Sequence, residues 1–399
     1  MRTIEPKPRV AVARCPDYET DNLSRGIRSC LDLLGGMKSL LRSSRKVFVK
    51  VNLLSPLASV ERAIFTHPAF VQEVLRLLKD YDLDITVGDD LFSGQGDIFL
   101  PSGYREVCTD LGIHLVNLKE TGFVEVPVRG KVLNKFYIAR PVLDADVIIN
   151  LPKLKTHSFT LYTGAVKNMF GVIPHGQRVD CHRRFVRNDV FSEMLVDLLS
   201  CVRPCLTIMD AVIGHEGEGP SAGSPKNIGL VLASSDAVAL DAAATRIVGY
   251  EPLRIYTTYY AHERGLGVGD IDLIEIAGDK LEDVKVKGFK HSAFAVSLFR
   301  RKLPSFLYAY IQGQLGLIPE VVSSRCTACS ECVNICPVRA ISVLQEAAWI
   351  DEKQCIHCLC CHEICRFRAL RLKQFPLGKL LRTGSSIYGR AASAVRKIL

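Results

Sequence analysis

Short β-branched apolar runs alternate with helical periods through the first 290 residues. Arg9–Ala13 reads as a strand and Asn22–Leu34 as a helix. Lys46–Val51 is a second strand, followed by the helix Pro68–Lys79. Further strands fall at Ile85–Val87, Val147–Ile149, Leu206–Met209 and Ile228–Leu232, with helices at Val190–Cys201 and Asp236–Val248. This order predicts an α/β fold, a mostly parallel sheet with flanking helices, over residues 1–290. After it the pattern changes three times. Residues 291–319, with Phe294, Leu298, Phe299, Leu303, Phe306 and Tyr310, read as a helical linker. Residues 320–375 are cysteine-rich. Residues 376–399 place Leu377, Leu380, Leu381, Tyr388, Ala391, Val395 and Ile398 on one helical face and Lys379, Arg390 and Lys397 on the other. That tail reads as a basic amphipathic helix, weakened by Gly378, Gly384 and Gly389.

The composition suits a globular chain: 48% hydrophobic and 23% charged over 399 residues, enough for two to three units. No apolar run reaches the ~18–20 residues of a membrane span. The first fifteen residues lack an apolar signal core, so a cytoplasmic location is expected. The net charge of +9 has an address. Nine Lys or Arg and no acid lie between Ile364 and Leu399, which leaves 42 basic and 42 acidic residues upstream. A neutral body with a basic tail predicts no nucleic-acid partner. The tail docks on protein or makes peripheral contact with an anionic membrane surface.

Nine of the 15 cysteines fall between Cys326 and Cys365. In a large chain without an export signal, that crowding predicts metal-bound thiolates rather than disulfides. Cys326, Cys329, Cys332 and Cys336-Pro337 form a C-x2-C-x2-C-x3-C-P run. Cys355, Cys358, Cys361 and Cys365 repeat it, with Arg366 in place of the second proline. In such runs three close thiolates hold one iron–sulfur cube and the fourth reaches the other. The prediction is two [4Fe–4S] clusters. Cys326, Cys329, Cys332 and Cys365 hold one; Cys355, Cys358, Cys361 and Cys336 hold the other. Zinc, which also uses C-x2-C pairs, is the competing reading. Cys360, a ninth thiol, reads as a packed small side chain, with a ligand swap as the alternative. The segment resembles the bacterial two-cluster ferredoxins over about 50 residues, which implies a small C-terminal α+β two-cluster ferredoxin-like domain.

In open α/β sheets, ligands sit beyond the carboxyl ends of the strands. Those ends carry Lys50 and Asn52; Gly88, Asp89 and Asp90; Asn150, Lys153, Lys155, Thr156 and His157; and Asp210, followed by the glycine-rich Gly214–Pro220 with Glu216. The densest stretch, 151–184, adds Lys167-Asn168, His175, Arg178 and His182. Lys167-Asn168 lies in an apolar run where burial is costly unless paired. One shared cleft is predicted, with Lys50, Asn52, Asp89, Lys153, Lys155, His157, Lys167, Asn168, Asp210 and Glu216 as substrate-binding candidates. Three chemistries are open for it: an anion held by charge-assisted bonds, a metal on His157, His175 and His182, or plain turns and caps. No phosphate-binding G-x-x-x-x-G-K-[ST] loop, G-x-G-x-x-G turn or G-x-S-x-G elbow is present. No catalytic residue is assigned.

Lys50-Val51-Asn52-Leu53-Leu54, Thr66-His67-Pro68, Gly88-Asp89, 151–157 (LPKLKTH), 164–171 (GAVKNMFG), Asp210-Ala211-Val212, 216–220 (EGEGP) and 236–241 together resemble the family of domain of unknown function 362. The likeness covers about positions 45–250. It implies an architecture, often with a C-terminal ferredoxin module, more than a reaction. The expected function is an iron–sulfur electron-transfer protein whose clusters pass electrons between a redox partner protein and a site in the α/β domain. The alternatives are a reductase acting on an anionic small molecule in the cleft and a cluster-stabilised scaffold. Whether the protein is an enzyme is left open.

Overall fold

The computed structural model describes residues 7–41, 43–54, 58–91, 98–292 and 317–374. The chain divides into two compact units, Met1–Ser292 and Ala293–Leu399. Most of the linker, from 293 to 316, and the tail 376–399 fall outside the described residues.

In the first unit the strands are β1 (Arg9–Arg14), β2 (Lys46–Val51), β3 (Asp84–Asp89), β4 (His114–Asn117), β5 (Phe123–Pro127), β6 (Lys135–Ala139), β7 (Val147–Leu151), β8 (Lys153–His157), β9 (Leu161–Thr163), β10 (Leu206–Glu216), β11 (Ser224–Ser234) and β12 (Glu275–Gly278). The main sheet runs β12-β1-β11-β10-β7-β2-β3-β4, with β8 beside β10 and β9 beside β8. β5 and β6 form a separate hairpin. From β10 to β4 the neighbours on this path are parallel. β11 runs antiparallel to both β1 and β10. The sheet is therefore mixed. Most of its pairings are parallel, as the sequence predicts, but the run Ile228–Leu232 lies in an antiparallel strand. That run is the return arm of an eleven-residue hairpin with β10, not the strand of a crossover unit.

The core follows from the apolar runs. Val47, Phe48, Val49 and Val51 of β2 are buried, as a central strand covered on both faces requires. The helix Pro68–Lys79 begins with proline in its first turn, and His67 caps it through a bond from Ala69 N at 3.2 Å. Its Phe70, Val71, Val74, Leu75, Leu77 and Leu78 pack on the sheet. Each fully buried side chain of this kind contributes about 1.5–3 kcal/mol.

The second unit is small and α+β. β13 (Leu317–Val321) pairs antiparallel with β16 (Leu370–Gln374), and β14 (Ile341–Leu344) with β15 (Ala347–Ile350). One-turn helices Glu331–Ile335 and Cys360–Ile364 precede β14 and β16, one in each half. Gln345 and Glu346 join β14 to β15 with φ of 47° and 66°, the sense a two-residue hairpin demands. The halves repeat at the level of single dihedrals. Ala328, Ser330 and Arg339 have φ of 53°, 61° and 54°; His357, Leu359 and Arg368, each 29 positions on, have 54°, 65° and 52°. Left-handed backbone costs a non-glycine residue roughly 1 kcal/mol. Six such residues in matching places mark loops shaped for something other than backbone comfort. Among the described residues, no helix is long and apolar enough to cross a membrane.

Candidate functional site

β1, β2, β7 and β10 point the same way, so the residues that follow them share one rim of the sheet. Register places Lys50 between Gly88 of β3 and Asn150 of β7, and Lys153 beside Asp210. Three linked polar groups result.

In the first, Lys153 Nζ donates to Asp210 Oδ2 at 2.8 Å and to the Tyr18 hydroxyl at 2.7 Å. Tyr18 in turn donates to Asp210 Oδ1 at 2.9 Å and accepts from Ile213 N at 3.2 Å. Asp210 also accepts from the backbone of His67 at 2.9 Å, and the His67 ring stacks on Tyr18 with centroids 3.7 Å apart. In the second, Lys155 Nζ donates to Asn52 Oδ1 and to Ile64 O, both at 2.7 Å. Asn52 donates to Asn168 at 2.9 Å, Asn168 to Asn150 at 2.7 Å, and Asn150 to Ala165 O at 3.0 Å. In the third, Lys50 Nζ meets Asp89 Oδ1 at 2.8 Å, while Asp89 Oδ2 accepts from Leu53 N at 2.9 Å. Gly171 lies over this pair. A Cβ there would come within 2.3 Å of Asp89 Oδ1 and 2.8 Å of Lys50 Nζ.

Electrostatics follow from burial. Lys50, Lys153 and Asp210 are almost wholly enclosed. Desolvation pushes both lysines below the ordinary ammonium range, and the facing carboxylates oppose it. Burial first, then Asp210, holds the Tyr18 phenol well above its usual value. His67 is pushed down to about 4 by burial, against the pull of Asp210, and is therefore neutral at pH 7. Asp241, on the helix Ala237–Ile247, accepts from Ala165 N at 2.7 Å, Val166 N at 3.0 Å and Tyr162 at 3.0 Å. Burial lifts it to about 7 in spite of those donors.

Of the residues singled out by sequence, Lys50, Asn52, Asp89, Lys153, Lys155, Asn168 and Asp210 gather in these groups. His157 Nδ1 accepts from Phe159 N and Thr160 N at 3.1 and 3.2 Å, which shapes a turn. Lys167 is half-buried with its ammonium 5.9 Å from the centre of the Phe170 ring. Glu216 lies farther along β10, where it accepts from Lys290 N at 2.9 Å. Lys50 and Lys153 each already face a carboxylate, so their charge is neutralised within the fold rather than offered to an anion. Tyr18, His67 and Asp241 were not among the candidates. Tyr18 does follow a strand, so the rule that found the others reaches it too.

In the second unit, two cavities divide the eight motif cysteines. Cys326, Cys329, Cys332 and Cys365 line one; Cys336, Cys355, Cys358 and Cys361 line the other. Each takes three thiols from one motif and one from its repeat. Backbone amides donate to the sulfurs: Ala340 N to Cys336 at 3.2 Å, Ala348 N to Cys326 at 3.3 Å and Ala369 N to Cys365 at 3.3 Å. Among the described residues, no three His, Cys, Asp or Glu converge on a single ion. Cys360 is buried beside the second set.

Two family models match the chain. The family described as Domain of unknown function (DUF362) matches residues 47–246, and the 4Fe-4S binding domain matches residues 319–342, around the first motif. Thylakoid-associated protein sll1697 of Synechocystis sp. is 32% identical over 259 residues, 64% of this chain and 79% of that protein. Indolepyruvate oxidoreductase subunit IorA of Archaeoglobus fulgidus is 27% identical over 180 residues, 41% of this chain but only 28% of the subunit. Among solved structures, the lactate racemase apoprotein of Thermoanaerobacterium thermosaccharolyticum aligns with a TM-score of 0.37 and 12% identity, over 58% of this chain and 54% of that one.

Proposed function

From the premise that this chain belongs to the family of domain of unknown function 362 and carries a C-terminal 4Fe-4S binding domain, we propose that it is an iron–sulfur oxidoreductase acting on a small molecule at the carboxyl rim of its α/β unit. One observation carries the reading: eight cysteines line two cavities, four to each, with one ligand crossing between the motifs. That donor set fits two [4Fe–4S] clusters. Cys326, Cys329, Cys332 and Cys365 would hold one, and Cys336, Cys355, Cys358 and Cys361 the other. When bound, the clusters supply one-electron transfer. The amides of Ala340, Ala348 and Ala369 would act on their potentials through bonds to the sulfurs.

At the rim, Lys155, Asn52, Asn168 and Asn150 form a directed chain of donors and acceptors that orients a polar ligand with little rearrangement. Lys167, half-exposed beside Asn168, is the cation best placed by sequence and burial to touch it. The neutral His67 ring and the Tyr18 phenol cover the neighbouring ion pair and exclude water from it.

The closed pairs Lys50–Asp89 and Lys153–Asp210 favour a second reading, in which the α/β unit recognises a redox partner protein and the clusters only carry electrons. Anaerobic reconstitution separates the two. About eight irons per chain are expected. Reduced protein should be reoxidised by a small-molecule acceptor in a Lys167-dependent way, and Lys167→Met should lose that turnover while its clusters still reduce. Full turnover in the variant removes the rim from the reaction. Colourless protein that binds zinc would falsify the iron–sulfur reading itself.

A further inference from the structure

The same carboxyl rim carries a groove whose charge, unlike that of the lysines beside it, is not neutralised by the fold. Arg14 ends β1, and Lys226 on β11 stands opposite Gly214 of β10. The segment 283–287 crosses in front of them. Val284 is buried there, and Asp283, Lys285 and Lys287 are exposed. Val286 N anchors it to Ile247 O at 2.9 Å, and Gly288, at φ 69°, turns the chain away. Arg14, Lys226, Lys285 and Lys287 line one cavity together with Asn227 and Asp283.

Arg14 is partly engaged. Its Nε lies 3.4 Å from Asp279, and its guanidinium donates to Asp283 O at 3.3 Å. Lys226, Lys285 and Lys287 make no ion pair or side-chain hydrogen bond among the described residues. Three such lysines thus line the cavity with one carboxylate, Asp283. Gathering like charge costs free energy until an anion enters. The groove and the rim groups share the β10–β11 strand pair. Asn227 pairs in register with Ile213, whose amide holds the Tyr18 hydroxyl at 3.2 Å.

We propose that this groove is the subsite for a phosphate or pyrophosphate group carried by the small molecule that binds at the rim. The proposal rests on the small-molecule reading for the other end of the ligand, and it moves the anionic contacts from Lys50 and Lys153 to Lys226, Lys285 and Lys287. Each lysine is a point charge with rotatable donors, and the Asn227 amide adds a neutral one. Together they suit a compact polyanion better than a planar carboxylate, which arginine forks favour.

The test needs neither turnover nor iron reduction, so it can fail while the cluster reading stands. Inorganic pyrophosphate is titrated calorimetrically into the full-length reconstituted protein at low salt. The same is done with a triple variant, Lys226→Gln, Lys285→Gln and Lys287→Gln, and with a control triple, Lys38→Gln, Lys79→Gln and Lys353→Gln. Saturable binding is expected, weakened at least tenfold in the groove variant and less than twofold in the control. Circular dichroism establishes that both triples are folded. No saturable binding, or equal weakening in both triples, overturns the subsite. So does a polyglutamate peptide that binds tenfold more tightly than pyrophosphate through the same lysines, because the groove would then serve an acidic protein.

Discussion

The Lys50 ammonium and the Asp89 carboxylate meet at 2.8 Å with side-chain exposures of 1% and 8%. Both come from the carboxyl ends of adjacent parallel strands, and neither has bulk water to return to. The pair is held by its surroundings: Leu53 N and Asp90 N donate to Asp89, and the missing side chain of Gly171 leaves it room. The same kind of pairing recurs at Lys153 and Asp210, so these two rim lysines are compensated within the fold.

Removing one member should expose the cost of the other. Asp89→Ala leaves a buried, uncompensated ammonium and should destabilise the protein by about 3–5 kcal/mol in urea unfolding. The double replacement Lys50→Met with Asp89→Leu should recover more than half of that loss. A single variant that loses less than ~1 kcal/mol would mean that water reaches the pair.

Gly171→Ala tests the cover. The added methyl meets Asp89 Oδ1 and Lys50 Nζ well inside contact distance, so a loss of roughly 1–3 kcal/mol is expected. Gly176→Ala is the control. Its Cβ meets nothing within 4 Å, and it lies in the helix His175–Arg184, so it should be neutral or gain up to ~1 kcal/mol.

Burial pushes His67 and His175 down to about 4 from an ordinary 6.5. Between those values the unfolded chain binds more protons than the folded one, so stability from these groups falls as pH drops from about 6.5 to 4. Asp241, lifted from 3.8 to about 7, works in the opposite sense and loses stability as pH rises through that range. Asp90 and Asp236, also raised by burial, act in the same sense as Asp241, so the His67 contribution is read as the difference between variant and parent. His67→Asn keeps a capping side chain but cannot titrate, and should flatten the fall in melting temperature between pH 6.5 and 4.5. An unchanged slope would assign the dependence elsewhere.

Cys360 and Cys365 separate packing from ligation. Cys360→Ser should retain about eight irons per chain, whereas Cys365→Ser should lose close to half, because its thiol completes the set in the other motif. Iron analysis after anaerobic reconstitution decides this. A halved content in the Cys360 variant would make that thiol a ligand.

Much of the rim was legible because the carboxyl-end rule depends only on strand order, and Lys50, Asp89, Asn150, Lys153 and Asp210 all follow apolar runs. Their pairing was not legible. Lys50 and Asp89 are 39 positions apart, and Lys153 and Asp210 are 57 apart; no local pattern says which lysine meets which acid. β8, reading Lys-Leu-Lys-Thr-His, was also hidden. It is buried throughout, but its lysines are compensated by distant residues, so its polarity imitates a loop. The groove at Lys226, Lys285 and Lys287 joins segments about 60 residues apart and had no signature in either.

The cysteine spacing by itself predicted a grouping of the thiols, because short loops leave a chain few ways to wrap a cube, and the two motifs repeat their dihedrals. Alternating apolar runs likewise fixed an α/β body. Only the tertiary structure decided the direction of β11, the neutralisation of the rim lysines and the place where positive charge remains unanswered. Charge is compensated through space over a few ångströms, whereas sequence records only distance along the chain.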